Sequence, residues 1–216
     1  MKTDFQNLYD LVWRTDFGMP GYAAIDLPDH DSFALRRLMI EVQRAFTAIS
    51  LSRGRNPFKI RSLGRFDQQV TTKFHLDGAP PESLLVLGYE PSTVRSVVRM
   101  ADYSRAAHDL GMTPEEFLDR HNPMFTASEK LLQPYVDEIP APPAGVARLV
   151  LVNNSKMPFD EISSQGVLHQ ATIPTPDPGA SRIINSMMLA TDGENVSEHS
   201  LETFLSTRDI SGPIAS

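Results

Sequence analysis

The chain has 216 residues, 20 Lys+Arg against 27 Asp+Glu and a formal net charge of −7, which argues against a nucleic-acid partner held on a broad basic surface. Hydrophobic residues make up 41% and charged residues 22%, the balance of a globular domain rather than a disordered chain. There is no cysteine, so disulfides, thiolate metal ligands and a Cys nucleophile are excluded, and any metal must be held by Asp, Glu and the six histidines.

Residues 1–30 read as an N-terminal arm with turn signals at Gly18, Pro20-Gly21 and Pro28. A scaffold helix is predicted over 31–52. Asp31 or Ser32 is its N-cap, and Phe33, Leu35, Leu38, Met39, Val42, Phe46 and Ile49 recur at helical spacing. Arg36, Arg37, Glu41 and Arg44 occupy the opposite side, and Gly54 and Pro57 end the helix.

From residue 58 the texture changes to short β-branched and aromatic segments at 58–61, 69–76, 83–89 and 95–101, separated by Gly and Pro turns. A helical insert is predicted over 102–145. Thr113-Pro114-Glu115-Glu116 is a capping box with Pro at the first helical position, and a second helix is expected over 127–138. Strands resume at 146–153, 166–173 and 182–190, and residues 191–216 read as a C-terminal tail that is mobile or docks as one short helix. The expected organisation is a single domain over 1–190 followed by that tail, mainly β with flanking helices, as a sandwich or barrel.

The chemistry concentrates in Lys73-Phe74-His75-Leu76-Asp77-Gly78. On a strand, His75 and Asp77 point to one face, where an imidazole and a carboxylate can take adjacent positions on a metal. His169, inside a later apolar strand, would complete a 2-His-1-carboxylate facial triad; the alternative for a lone strand histidine is a hydrogen-bonded core residue. Arg182 opens a strand that is otherwise uncharged, so its guanidinium, if buried, needs an anion such as a ligand carboxylate.

The order of a strand with H-x-D, an insert, a strand with His, and a strand opened by Arg resembles the Fe(II)- and 2-oxoglutarate-dependent dioxygenase superfamily over about residues 58–190. That resemblance implies a double-stranded β-helix, the jelly-roll core that cupins share. It also implies Fe(II) on His75, Asp77 and His169, with 2-oxoglutarate as cosubstrate and Arg182 on its far carboxylate. The implied activity is oxidation of a small-molecule substrate, with a polar metabolite such as an amino acid as the expectation; Asp77 favours hydroxylation or desaturation over halogenation. Two positions depart from the family: Arg182 follows His169 by thirteen residues, and Ile184 stands where many members carry Ser. Arg61, Arg65, Lys73 and Arg99 compete with Arg182, Lys73 because it shares the strand parity of His75.

Other readings stay open. A cupin-like metal-binding protein needs no anion grip. A metal-dependent hydrolase or isomerase would need an extra base, for which Glu82 and Asp102 are candidates. Asp102 to Arg105 and Asn153-Asn154-Ser155 could line a pocket, or be a helix cap and a turn. His108 and His121 read as surface residues. No stretch reaches the ~18 uncharged apolar residues of a membrane span. The acids in MKTDFQNLYDLVWRTDFG are unlike a secretion signal, so a cytoplasmic location is expected.

Overall fold

The computed structural model describes residues 3–160 and 162–214, the last four of these by backbone alone. Helix α1 (Phe5–Val12) starts at Asp4, whose carboxylate accepts from the Asn7 amide. Strand β1 (Tyr22–Leu27) and helix α2 (Ser32–Ser52) follow, with Asp31 capping α2 as its sequence predicts. Next come β2 (Lys59–Asp67), β3 (Ser83–Tyr89) and β4 (Val97–Ala101). Three short helices are α3 (Tyr103–Asp109), α4 (Pro114–Arg120) and α5 (Thr126–Leu132). The chain continues through β5 (Val136–Ile139), β6 (Ala147–Asn153), β7 (Leu168–Thr172), β8 (Ile183–Ala190), α6 (Glu198–Ser206) and β9 (Ser211–Ile214).

The strands form two antiparallel sheets, one of six strands in the order β1-β6-β3-β8-β2-β9 and one of three in the order β5-β4-β7. Alternation sorts the side chains into three apolar layers. Leu85, Leu87, Tyr89, Val150, Val152 and Met188 of the large sheet meet Val98 and Met100 of the small one. The outer face of the large sheet carries Leu84, Val86, Leu149, Leu151 and Leu189 against α1, α2 and α6. The outer face of the small sheet packs Ala101 and Leu168 against Tyr103, Phe117 and Leu132 of the helical segment.

Two glycines are required by close approach. At Gly88 a side chain would strike Met39 and Leu35, so this glycine lets α2 lie against β3. At Gly166 a side chain would run into the backbone of Ser155, where the entry to β7 crosses the end of β6.

Several expectations are corrected. Residues 69–76 form no ladder. Thr71 and Thr72 use their hydroxyls to accept from the amides of Ile173 and Ala171, and a single bridge, His75 with His169, is regular. Threonine hydroxyls compete with backbone pairing in this way. The helix expected over 127–138 stops at Leu132, and Pro134 lies in a 3₁₀ turn that leads into β5. Arg36 is fully buried rather than on a solvated face. Its guanidinium donates to the carbonyls of Phe204 and Thr207 at the end of α6 and lies over the Phe33 ring. The N-terminal arm contributes α1 and β1. Residues beyond 190 supply the docked helix, with Phe204 buried, and also β9, paired to β2.

Candidate metal centre

Three side chains far apart in sequence converge where the segment before β3 meets β7. His75 and His169 face each other across their bridge, with ring centroids 4.2 Å apart. Asp77 follows two residues later. One nitrogen of each imidazole and one carboxylate oxygen lie within 4.8 Å of one another. Asp77 Oδ1 is 3.4 Å from His75 Nε2 and 3.9 Å from His169 Nε2.

The protonation pattern suits metal ligation. His75 Nδ1 lies 2.7 Å from the Lys73 carbonyl. A carbonyl only accepts, so Nδ1 carries a proton; Nε2 faces the Asp77 carboxylate, to which it donates when protonated, and would offer its lone pair to a metal once that proton leaves. Burial, with the neighbouring His75 charge adding to it, pushes His169 down to about 4, so it is a neutral imidazole near pH 7. Burial opposes charge on Asp77 too, but the hydrogen bond from His75 and the charge of both histidines outweigh it and hold the carboxyl below its ordinary value. For His75, burial works downward; Asp77 and the Lys73 carbonyl win and raise it. Two neutral-capable nitrogens and a carboxylate are the donor set of a divalent transition metal. His169 turns Nε2 towards Asp77, while its Nδ1 is buried without a hydrogen-bond partner among the described residues.

The backbone under Asp77 is clamped. Asn154 is 2% exposed, and its amide accepts from Asp77 N (2.9 Å) and donates to the Asp77 carbonyl (3.1 Å) and to Ser83 Oγ (3.1 Å). The Asn153-Asn154-Ser155 segment is therefore neither a free substrate contact nor only a turn: it ties the end of β6 to the carboxylate's own peptide.

An inter-sheet cavity of about 200 Å³ opens beside the three residues, walled by Phe66, Leu87, Tyr89 and Ile184 and floored by Gln68 and Thr72. Arg182 stands behind Tyr89, its Cζ 5.0 Å from the ring centroid, and is 2% exposed. Its guanidinium donates to the Gln68 carbonyl and to Ser96 Oγ, and its Nε has no partner. Among the described residues no carboxylate bonds to this buried guanidinium. Burial lowers the pKa of Arg182, with the Tyr89 phenol and Asp67 opposing.

The competitors of Arg182 are engaged elsewhere. Arg65 pairs with Glu90 through two bonds of 3.1 Å. Arg61 donates to the Asp192 and Glu194 carbonyls. Arg99 reaches Gln170 and Gln133 on the outer face of the small sheet. Lys73 is exposed and pairs with Glu129, so the expected shared parity with His75 fails because its segment is not a regular strand. Asp102 caps α3 and pairs with Arg14, and Glu82 accepts from Thr191, so neither candidate base stands at the triad. His108 is exposed, and His121 packs on Phe117.

No protein-family profile matches the chain, and neither does any curated protein. Among solved structures the chain is similar to apo HygX from Streptomyces hygroscopicus, at 9% identity and a TM-score of 0.42, over 88% of this chain and 86% of that one. A likeness this loose fixes neither fold detail nor function. What stands is a mainly antiparallel β architecture with six flanking helices and a His/Asp/His cluster able to hold a metal. No described helix is long and apolar enough to cross a membrane.

Proposed function

We propose that this chain is an Fe(II)- and 2-oxoglutarate-dependent oxygenase with a double-stranded β-helix core, acting on a small metabolite. The observation that carries the reading is the convergence of His75, Asp77 and His169 at the mouth of an inter-sheet cavity that has Arg182 behind its Tyr89 wall. The strand order supports the core. From β2 onward the chain alternates between the large sheet and the small one, through the 71–76 segment, β3 and β4, and again through β6, β7 and β8. The alternation breaks where the helical segment leads into β5, and again after β8, since β9 lies in the same large sheet.

When bound, iron and 2-oxoglutarate supply the oxidising chemistry. The chain's part is position and dryness. His75, Asp77 and His169 would hold the metal. The Lys73 carbonyl orients His75, and the Asn154 amide fixes the peptide of Asp77. Arg182 has a charge in need of an anion, and a cosubstrate carboxylate matches it. Phe66, Leu87 and Ile184 give the cavity an apolar wall.

The test is anaerobic reconstitution with Fe(II), then 2-oxoglutarate and air, with succinate measured. Iron-dependent succinate formation that disappears in Asp77→Ala is expected. Metal binding without any 2-oxoglutarate binding would instead favour a cupin-like metal-binding protein.

A further inference from the structure

A second cavity, of about 380 Å³, meets His75 and Asp77 from outside the sandwich, beneath the end of α4. It shares these two residues with the inter-sheet cavity but not His169. His75 and Asp77 thus stand between two chambers. Much of the outer chamber is apolar: Leu76 on one side, and Leu118, Pro123 and Met124 on the other. Met124 is 57% exposed, so this wall is uncovered at its rim.

Its polar groups are few. Asn154 is used up on Asp77 and Ser83. Asn122 Oδ1 accepts from the Met124 amide, which leaves its NH₂ group without a hydrogen-bond partner among the described residues. Among the described lining residues Asp77 is the one carboxylate, His75 beside it is the one imidazole, and Lys156 is the one lysine or arginine. The Lys156 amide is pinned to the Pro81 carbonyl at 2.8 Å, while its ammonium makes no ion pair with a described residue. An apolar chamber with a lysine at its rim suits an amphipathic anion. One cation matches a carboxylate; the second charge of a phosphate ester would have no partner.

We infer that the outer chamber binds a small organic carboxylate with an apolar body, the carboxylate on Lys156 and the body against Leu118 and Met124. A carbon of that body then faces the His75–Asp77 edge. This last orientation rests on the metal reading above, whereas the anion site does not.

The test uses the full-length, metal-free protein and 3-phenylpropanoate, with its uncharged amide as the comparison, by ligand-observed NMR. The acid should bind about fivefold more tightly than the amide, the value of one partly exposed ion pair. Lys156→Met should remove that difference and Lys156→Arg should keep it; Lys156 is exposed, so neither change threatens the fold. Equal affinities for acid and amide, absent binding of the acid, or undiminished acid binding in Lys156→Met would overturn the site. Added Mn(II) should broaden the ring protons more than those beside the carboxylate. The reverse pattern would overturn the orientation. Normal acid binding with no Mn(II) uptake at the triad would instead strike the metal reading and leave the anion site standing.

Discussion

Asn154 and Asp77 are joined by a two-bond ring: the asparagine side chain accepts from the aspartate amide and donates to its carbonyl. The side chain of Asp77 is thereby aimed from a peptide that cannot rotate, although 36% of that side chain is exposed. Ligand-orienting partners of this kind commonly matter for affinity as much as for stability.

Asn154→Ala should therefore weaken metal binding by about 10- to 100-fold and destabilise the fold on the order of 1–3 kcal/mol, because buried partners lose their bonds. Asn154→Asp keeps the acceptor for Asp77 N but buries an unpaired charge against the Asp77 carbonyl, so it should destabilise the fold at least as much as alanine. Calorimetric Mn(II) titration beside denaturant unfolding separates the two effects. Equal metal affinity in the alanine variant would show that the ring serves the fold alone.

Arg182 is buried with neutral hydrogen-bond acceptors for its guanidinium. Arg182→Ala should raise the dissociation constant for 2-oxoglutarate at least ~30-fold, since a desolvated carboxylate loses its partner at a cost of about 2–5 kcal/mol. Metal affinity should hold. Titration of 2-oxoglutarate into the Mn(II)-loaded protein measures this, and unchanged affinity would remove Arg182 from the cosubstrate site.

The Arg65–Glu90 pair joins β2 to the end of β3, with the two side chains 8% and 11% exposed. Burial works against the Glu90 charge, but hydrogen bonds from Arg65, Ser32 and Asn185 outweigh it and hold its pKa below the ordinary 4.5. A carboxylate depressed on folding contributes stability that is complete above its unfolded value and is lost as pH falls through the folded one. Unfolding free energy should thus decline below pH 4.5 more steeply in wild type than in Glu90→Gln. At pH 7 the glutamine variant should be less stable by about 3 kcal/mol, because Arg65 is left as an uncompensated buried charge.

Much of this site was legible in the sequence because its signals are local or strongly periodic. Asp31 and the Thr113–Glu116 box mark real helix starts, and the apolar runs at 83–89, 147–153 and 183–190 are strands of the large sheet. His75 and Asp77 sit two apart beside a turn, and His169 lies in an apolar run; spacing offered them as candidates, and it was the resemblance of their order to a known pattern that joined them as a triad. Pairings set by tertiary contact could not. Nothing near Arg36 announces the α6 carbonyls that receive it, and nothing in Thr71-Thr72 says that hydroxyls will replace a ladder. The Asn154 clamp spans 77 positions, and the outer chamber exists only once α4 is folded over Leu76.

The most direct test of the central claim is an anaerobic Fe(II) titration of the wild-type chain beside His75→Ala and His169→Ala, with far-ultraviolet circular dichroism to confirm folding. One iron per chain is expected in the wild type. In either folded variant affinity should fall at least about tenfold, the minimum effect of a lost ligand when an outer-sphere partner alone is worth 10- to 100-fold. Undiminished iron affinity in folded His75→Ala and His169→Ala would contradict the assignment of this triad as the metal site.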